Sequence, residues 1–336
     1  MYCCIKKIFI PLLILTQYVA ESFSQDNVRA LFYNVENYFD CDDDSLKNDA
    51  EFLPGGIRGW TPSRFWKKTG NIARVLAFAG ENGFPAIVGM AEIENDKCLD
   101  KLTKWSPLRN AGYSYIHYES PDVRGIDVCL LYNPFIFKPI YHRPYSIEFK
   151  NELNRKTRDV LYVCGEIYSG SQLHLFVCHL PSRLGGELET ESNRCQVAAT
   201  IRKAVDSIFL QIPDANILIM GDFNDTPVNK SIAEVLRAKA PVKEPESGQL
   251  YDMMLSLMNV AEVGTHKNQA EWALLDHMIV SGNLLKKAGP AMILKSDFLL
   301  MTDRRWLGMK PFRTYHGMKY QGGYSDHLPV YLDLIF

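Results

Sequence analysis

Residues 218–227 read Leu218-Ile219-Met220-Gly221-Asp222-Phe223-Asn224-Asp225-Thr226-Pro227, an apolar run that meets glycine and then turns polar. A short apolar run bounded by turn residues is typical of a buried β-strand. Asp222 and Asn224 follow two positions apart, so their side chains point the same way. Asp222 can accept a proton or align a water molecule, and Asn224 can donate to a phosphate oxygen. An Asx turn that caps the strand would use the same residues, so this segment alone leaves both interpretations open.

Five other apolar runs carry carboxylate, amide or imidazole groups at one end. These groups are Asn34-Val35-Glu36-Asn37, Glu92-Ile93-Glu94, His179-Leu180-Pro181-Ser182-Arg183, Leu275-Asp276-His277 and Ser325-Asp326-His327. Polar groups at strand ends converge only if the strands lie side by side, so their order along the chain is also a hypothesis about the fold. Together they favour a metal-dependent hydrolase.

Glu92 ends an otherwise apolar strand. A buried carboxylate is costly unless it is paired or bound to a cation. Glu92 is therefore a candidate ligand for a hard metal ion such as Mg²⁺, which usually takes one or two carboxylates and several water molecules. Asn34 and Glu36 leave their own strand in the same way and could face that ion.

Two histidines have acidic groups that could orient them. Asp326 and His327 are adjacent, so one can bind metal while the other meets substrate, and Asp276 is the candidate that fixes the tautomer of His327. His179 could be a second general acid, with Asp127 as its orienting carboxylate. The remaining histidines lack comparable contexts and are expected to be structural or exposed: His117, His142, His174, His266, His277 and His316.

The composition indicates one globular domain without a strongly basic character. The chain has 336 residues, of which 47% are hydrophobic, and a formal net charge of −2. Net charge therefore gives no support to nucleic-acid binding, although a local basic patch can supply it. Neither a repeat nor a Pro/Ser-rich linker marks a domain boundary.

The first residues have the pattern of a secretory signal peptide. Lys6 and Lys7 precede an apolar run at 8–15, and a smaller, more polar stretch follows. We expect residues 1–24 to be a signal peptide and 25–336 to be the catalytic domain, exported to the periplasm or the medium. The apolar run is shorter than the roughly 20 residues that span a bilayer, so no stable membrane insertion is expected after cleavage.

Strands recur along the whole chain, and two helices lie between them. The predicted strands are 28–33, 86–92, 126–132, 160–167, 174–179, 217–221, 274–280 and 328–336. One helix starts at the N-cap Thr61 and runs to about Ala79, with Phe65, Ile72, Val75 and Leu76 on one face. The second covers 189–209. Helices placed between strands favour a structure in which helices cover the outer faces of sheets.

The order Asn34, Glu92, His179, Gly221-Asp222-Phe223-Asn224, Asp276, Ser325-Asp326-His327 resembles the endonuclease/exonuclease/phosphatase family, over about 28–336. The segments Arg124-Gly125-Ile126-Asp127 and His179 to Arg183 resemble exported bacterial members of its deoxyribonuclease-like branch. The resemblance implies an α+β fold, a four-layer αββα sandwich of two packed, mainly antiparallel sheets flanked by helices. The site would lie at one edge of the sheets.

The resemblance also implies a role for each site residue. Glu92 would be the main Mg²⁺ ligand, assisted by Asn34, Asp326 and, through water, Glu36. Asp222 would orient the attacking water. His327, held by Asp276, would stabilise charge on the phosphoryl oxygens, and His179, held by Asp127, would protonate the leaving oxygen. The expected phosphate-binding residues are Asn224, Arg158 and Arg183.

The sequence thus predicts an exported phosphodiesterase that uses Mg²⁺, or alternatively Mn²⁺ or Ca²⁺. The leading interpretation is a nuclease that acts on DNA or RNA by in-line attack of water. The alternative enzyme on the same fold acts on lipid phosphates or sugar phosphates. A third interpretation is a binding module without turnover, which predicts gaps in the metal and histidine set. None of the expected residue types is missing.

Overall fold

Two mixed β-sheets pack face to face, and each carries helices on its outer face. The computed structural model describes residues 27–80, 83–150, 152, 155–258 and 260–336, so the predicted signal peptide lies outside the described residues. The helices are α1 (Pro62–Ala79), α2 (Asp96–Trp105), α3 (Glu187–Gln211) and α4 (Gly282–Leu285). Short helical turns cover Ala50–Phe52, Pro107–Ala111, Ser231–Leu236, Met253–Leu257 and Asp297–Leu299. No helix among the described residues is long and apolar enough to cross a membrane.

The strands are numbered in chain order. They are β1 (Asn27–Tyr38), β2 (Ile87–Ile93), β3 (Ser114–His117), β4 (Asp127–Tyr132), β5 (Phe137–Tyr145), β6 (Val160–Ile167), β7 (Gln172–His179), β8 (Ile217–Asp222), β9 (Ala238–Lys239), β10 (Leu250–Asp252), β11 (His266–Asn268), β12 (Glu271–Ala273), β13 (Asp276–Ser281), β14 (Met292–Ile293), β15 (Leu300–Thr302), β16 (Met309–Pro311), β17 (Tyr315–His316), β18 (Lys319–Tyr320) and β19 (Val330–Ile335). Within the described residues, the first sheet has the order β14-β19-β1-β2-β4-β3 and the second β5-β6-β7-β8-β13-β10-β9.

Alternating residues of the strands build separate layers of core. Phe32 of β1 packs in the central core with residues of the opposite sheet such as Leu175 and Met220. Its neighbour Leu31 faces outward and packs with α1 and α2. On the other side, α3 covers the second sheet through residues such as Val197. This arrangement confirms the predicted four-layer αββα sandwich.

The sheets are mixed, and their parallel pairs determine where the site forms. Most neighbouring strands are antiparallel, as predicted, but β1 pairs parallel with β2 and β7 pairs parallel with β8. Parallel neighbours end at the same edge, so β1, β2, β7 and β8 deliver their carboxyl-terminal groups together. Strand β13 runs antiparallel to β8 and begins at that edge, where Asp276 pairs with Asp222.

Local sequence accounts for the helix starts and for one close approach of strands. The Thr61 side chain accepts a hydrogen bond from the Arg64 N–H and Pro62 opens α1, as predicted. Helix α2, capped by Asn95, was not anticipated. Gly221 has no room for a side chain, because a Cβ there would lie 2.3 Å from the Cys178 carbonyl oxygen. Glycine therefore lets β7 and β8 approach closely, just before Asp222.

Candidate active site

Asp222 lies at the centre of the predicted site. Its Oδ2 accepts a hydrogen bond from Asn34 Nδ2 at 3.0 Å, and its Oδ1 accepts from the Asn224 N–H at 2.8 Å. The Nε2 atoms of His179 and His327 lie 3.5 and 3.7 Å from Oδ2. Burial raises the pKa of Asp222 to about 7, with the charge of His327 acting against the rise and that of Asp276 adding to it. The carboxylate is thus held between two imidazoles at the edge where four strands end.

His327 is oriented by Asp276, as the sequence predicted. Its Nδ1 lies 2.7 Å from Asp276 Oδ2, and its backbone N–H donates to Ser325 Oγ at 3.0 Å. Although burial disfavours the charged ring, the carboxylates of Asp276 and Asp222 raise the pKa of His327 well above its ordinary value. The ring is therefore an imidazolium at neutral pH, with Nε2 directed towards the centre of the site.

The predicted pairing of His179 with Asp127 is wrong. Asp127 Oδ2 lies 3.2 Å from Nε2 of His117, and its Oδ1 accepts from the Ser120 N–H. The reason is that β4 pairs with β3 as well as with β2, which brings His117 to the start of β4. His179 Nδ1 is buried without a hydrogen-bond partner among the described residues. Burial, helped by the charge of Arg158, lowers the pKa of His179 well below its ordinary value, so this ring is neutral.

The candidate metal ligands Glu92 and Asn34 lie side by side on β2 and β1. Glu92 Oε2 accepts a hydrogen bond from the Asn37 N–H at 2.7 Å, and its Oε1 is 3.4 Å from Asn34 Nδ2. Glu92, Glu36, Asn37 and Asn224 adopt positive φ angles of 66°, 56°, 52° and 51°. Such angles are uncommon outside glycine and concentrate at functional sites, where the surroundings over-determine the backbone.

Asp326 and Glu36 share the cation Arg313. Arg313 Nη2 donates to Asp326 Oδ2 at 2.7 Å, and Arg313 Nε is 3.4 Å from Glu36 Oε1. Glu36 Oε2 accepts from the Thr314 N–H, so both of its oxygens have protein partners. Glu36 therefore anchors the segment with Arg313 beside the site, and its water-mediated contact with metal stays a prediction. Burial raises the pKa of Glu36 to about 7, and the nearby charge of Asp326 adds to this rise.

Lys68 is a buried cation behind the same cluster, and it was not predicted. Its Nζ donates to Thr314 Oγ1 and to the Tyr324 carbonyl oxygen, both at 2.6 Å. Burial lowers the pKa of Lys68 to about 8, while the charges of Glu36 and Asp326 act in the opposite direction. A lysine on the buried face of α1, three residues after Phe65 and four before Ile72, was a signal available in the sequence.

The two predicted phosphate-binding arginines hold protein groups. Arg158 is buried and donates to the carbonyl oxygens of His179 and Leu180 and to Asp122. It therefore fixes the end of β7, and its direct contact with phosphate stays a prediction. Arg183 is part-exposed and donates through Nε to the Asn224 carbonyl oxygen at 2.6 Å. The Asn224 side chain donates to Leu180, which leaves its Oδ1 without a hydrogen bond in the described part of the chain.

The His277 side chain links the loop after β8 to Asp252 at the end of β10. Its Nδ1 lies 2.9 Å from Asp252 Oδ2, and its Nε2 lies 2.9 Å from the Asp225 carbonyl oxygen. Both partners are acceptors, so only the doubly protonated ring satisfies them. Burial acts against this charge, but Asp252 raises the pKa of His277 above its ordinary value. His277 was expected to be structural, and its contacts agree with that expectation.

Replacing His277 by glutamine is expected to lower the free energy of unfolding by about 3–5 kcal/mol, because Asp252 is left buried without its cation. A folded-state pKa that is raised gives stability that is complete below the unfolded pKa of about 6.5 and is lost as pH rises through the folded value. The difference between wild type and His277→Gln should therefore be largest near pH 6 in urea unfolding. His316→Gln, at an exposed histidine, is the control. Equal stability of the His277→Gln and wild-type proteins at pH 6 would contradict the imidazolium assignment.

The donor set suits a hard divalent cation. Glu92 Oε1 has only the long contact with Asn34, and Asp326 has one oxygen on Arg313, so each carboxylate retains lone pairs for a cation. Carboxylate oxygens are ligands that Mg²⁺ and Mn²⁺ take in proteins. Asn34 presents its Nδ2 to Glu92 and Asp222 and uses its Oδ1 to accept a hydrogen bond from the Glu36 N–H at 3.0 Å. Lys68 and Arg313 compensate part of the negative charge of this cluster.

Comparison with known proteins identifies the class of this chain. A family model described as the Endonuclease/Exonuclease/phosphatase family matches residues 29–335. The chain therefore belongs to that family, whose members hydrolyse phosphate esters with divalent metal ions. No curated protein matches the sequence.

Solved structures share the fold at low sequence identity. An endonuclease/exonuclease/phosphatase family protein from Bacteroides thetaiotaomicron has a TM-score of 0.59 and 16% identity, covering 93% of this chain and 95% of that chain. A mannosyl-6-phosphatase from the same organism has a TM-score of 0.59 and 16% identity, covering 92% and 100%. The catalytic domain of human Nocturnin, solved with a bound sulfate anion, has a TM-score of 0.54 and 16% identity, covering 91% and 93%.

Proposed function

We propose that this protein is a Mg²⁺-dependent phosphodiesterase that acts as a nuclease on DNA or RNA through in-line attack of water. The observation that carries the proposal is the position of Asp222 between the Nε2 atoms of His179 and His327. Phosphodiester hydrolysis needs a group that aligns water and a donor for the charge that develops on the phosphoryl and leaving oxygens. One carboxylate between a neutral imidazole and an imidazolium supplies both.

Each side chain has a distinct task in this mechanism. Asp222, held by Asn34 and the Asn224 N–H, aligns the attacking water and accepts its proton. His327 donates from Nε2 to a phosphoryl or leaving oxygen while Asp276 stabilises its charge. His179 is neutral in the free protein and can act as a hydrogen-bond donor or as a proton acceptor. The Asn224 side chain contacts the phosphate.

The metal ion would be held by Glu92, Asn34 and Asp326. When bound, it supplies positive charge that polarises the phosphoryl group and neutralises charge developing on it. The oxygen donor set supports Mg²⁺, with Mn²⁺ or Ca²⁺ as substitutes. Arg313, on Asp326, then sits where it can also meet an anionic substrate, because its side chain is 37% exposed.

Hydrolysis of a substrate panel with and without EDTA tests this proposal. The panel contains supercoiled plasmid, RNA, bis-p-nitrophenyl phosphate, sphingomyelin, inositol phosphates and mannose 6-phosphate. We expect cleavage of nucleic acid and of the model diester, abolished by EDTA and restored by Mg²⁺. If no substrate turns over with added Mg²⁺, Mn²⁺ or Ca²⁺, the binding-module interpretation replaces the catalytic one.

A sugar-phosphate hydrolase is the second candidate. It is supported by the shared fold with the mannosyl-6-phosphatase and by a formal net charge of −2, which does not favour a polyanion. Turnover of mannose 6-phosphate without cleavage of plasmid or RNA would decide for this candidate.

We also propose that residues 1–24 direct export of the enzyme. The basic residues Lys6 and Lys7 before the apolar run at 8–15 support this proposal. Mass spectrometry of the native protein from the periplasm or medium should show a chain that begins near residue 25. A chain retained in the cytoplasm with its first residues intact would overturn it.

A further inference from the structure

The part of the molecule that the proposed mechanism leaves unused is a buried histidine surrounded by carboxylates. His117 ends β3, and its side chain is 2% exposed. Its Nδ1 lies 2.8 Å from Asp96 Oδ1, and its Nε2 lies 3.2 Å from Asp127 Oδ2. Glu119 completes the group, because one ligand atom each from His117, Glu119 and Asp127 lie within 4.8 Å of one another.

We propose that His117, Glu119 and Asp127 form a second metal site, separate from the catalytic one, that binds a borderline divalent ion such as Zn²⁺. Its ligands would be His117 Nε2 and one carboxylate oxygen each from Asp127 and Glu119, with water completing a tetrahedral set. None of these side chains hydrogen-bonds to Glu92, Asp222 or Asp326 in the described part of the chain.

The first argument is the direction of the ring. Asp96 accepts from Nδ1, so the Nε2 lone pair of the neutral ring points at the carboxylate of Asp127. Two lone pairs cannot face each other without a cation between them, which must be a proton or a metal ion. The 3.2 Å separation is longer than the 2.7–2.9 Å usual for a charged N–H···O pair. It is close to the roughly 3.3 Å between two ligands that are each about 2.0 Å from a tetrahedral metal.

The second argument is the arrangement of Asp96, His117 and the remaining ligands. Ligating histidines usually donate their other N–H to a carboxylate, which fixes the tautomer and increases the basicity of the ligating nitrogen. Asp96 has this relation to His117. Asp127 is buried, and its Oδ1 accepts a hydrogen bond from the Ser120 N–H. The oxygen that faces His117, Oδ2, is therefore the one available to a metal ion.

The third argument is the charge around the group. Even with a protonated His117, the three carboxylates leave a net charge of −2 (three negative charges and one positive). Lys47, whose Nζ donates to the neutral carbonyl oxygens of Ser120 and Asp122, adds one positive charge nearby, and a net charge of −1 then remains. A divalent ion would compensate this charge.

A cavity lies beside the group, at Asp96 and Glu119. It has a volume of about 360 Å³, and its lining includes Asp40, Asp42, Glu94, Asp96 and Glu119. Such an acid-lined opening concentrates cations near the group. A transition-metal ion is favoured over Mg²⁺ or Ca²⁺, because imidazole is a ligand of the former class.

Zinc binding to the purified protein tests the proposal, by elemental analysis after equilibrium dialysis against Zn²⁺. The Glu92→Gln protein is the background, because it weakens the catalytic site. In that background we expect one bound Zn²⁺ per chain. His117→Gln should weaken its affinity by more than about 100-fold, and Asp96→Asn by about 10–100-fold, the usual effect of losing a group that orients a ligand.

Two further variants keep the result independent of folding. Glu119 is exposed, so Glu119→Gln should fold normally while it weakens Zn²⁺ binding at least about tenfold. Glu166→Gln, at an exposed glutamate of β6, should bind as the background does. On adding Zn²⁺, the Nε2 NMR signal of His117 should shift as for a metal-bound nitrogen. The proposal is overturned if the background binds no Zn²⁺, or if Glu119→Gln and His117→Gln bind it with unchanged affinity.

Discussion

Glu92→Gln is expected to lower kcat for bis-p-nitrophenyl phosphate by at least about a thousandfold at saturating Mg²⁺, equivalent to about 4 kcal/mol in the transition state. The exchange keeps the size of the side chain and its contact with the Asn37 N–H, but removes the negative charge that holds the cation. Without that charge the ion is bound more weakly, and the substrate loses the positive charge that polarises it. The Mg²⁺ concentration needed for half-maximal rate should rise in parallel.

The matched control is Glu166→Gln, which makes the same chemical change at an exposed position of β6. It should keep wild-type kcat and Mg²⁺ dependence. Because Glu92 has a φ of 66°, the variant should also be checked by thermal unfolding, where we expect a midpoint close to wild type. A folded Glu92→Gln protein with wild-type kcat would remove Glu92 from the metal site and, with it, the basis for assigning Asn34 and Asp326.

The fold was predictable because the polar groups occur at the ends of apolar runs and in a fixed order. The predicted strand 217–221 and its neighbours are present, and α1 begins where Thr61 and Pro62 indicated. The sequence did not indicate that β1 pairs parallel with β2 and β7 with β8, because an apolar run has the same pattern in a parallel and in an antiparallel pair. Pairing depends on long-range packing that periodicity does not encode.

The site was predictable as a set of residues and less so as a set of contacts. The contact of His327 with Asp276 could be inferred because Asp276 begins one strand and His327 precedes another, both at the same edge of the sheets. Asp127 was assigned to the wrong histidine, because the approach of β3 to β4 depends on a short strand that the sequence did not reveal. The positive φ angle of Glu92 left no sequence signal, since no glycine marks it.

Charged residues on buried helix faces were an overlooked signal. Lys68 lies on the apolar face of α1, and Arg194 lies three residues before Val197 on the buried face of α3. Arg194 Nε is 2.7 Å from Asp225 Oδ1, and neither side chain is exposed. Such residues are costly to bury unless they are paired, so each predicts an acidic partner nearby. Arg194 has such a partner in Asp225, whereas Lys68 donates to Thr314 Oγ1 and to the Tyr324 carbonyl oxygen, beside the segment that holds Arg313.

His327→Ala is expected to lower kcat by about a thousandfold, within the range that a positioned acid–base group contributes. The variant removes the imidazolium whose Nε2 faces Asp222, and it leaves the proposed metal ligands Glu92 and Asn34 in place. KM and Mg²⁺ dependence should therefore change far less than kcat. His316→Ala, at an exposed histidine of β17, is the matched control and should be active.

The Asp276→Asn variant keeps the His327 ring and removes the carboxylate that stabilises its positive charge. A raised pKa keeps the ring protonated to higher pH, so activity that needs the imidazolium is lost as pH rises through that value. Removing the Asp276 charge lowers this pKa, and the loss of kcat should move to lower pH, measured between pH 5 and 10 with the model diester. The His316→Ala profile should match wild type. An unchanged alkaline limb in the Asp276→Asn protein would show that His327 does not act as the protonated group.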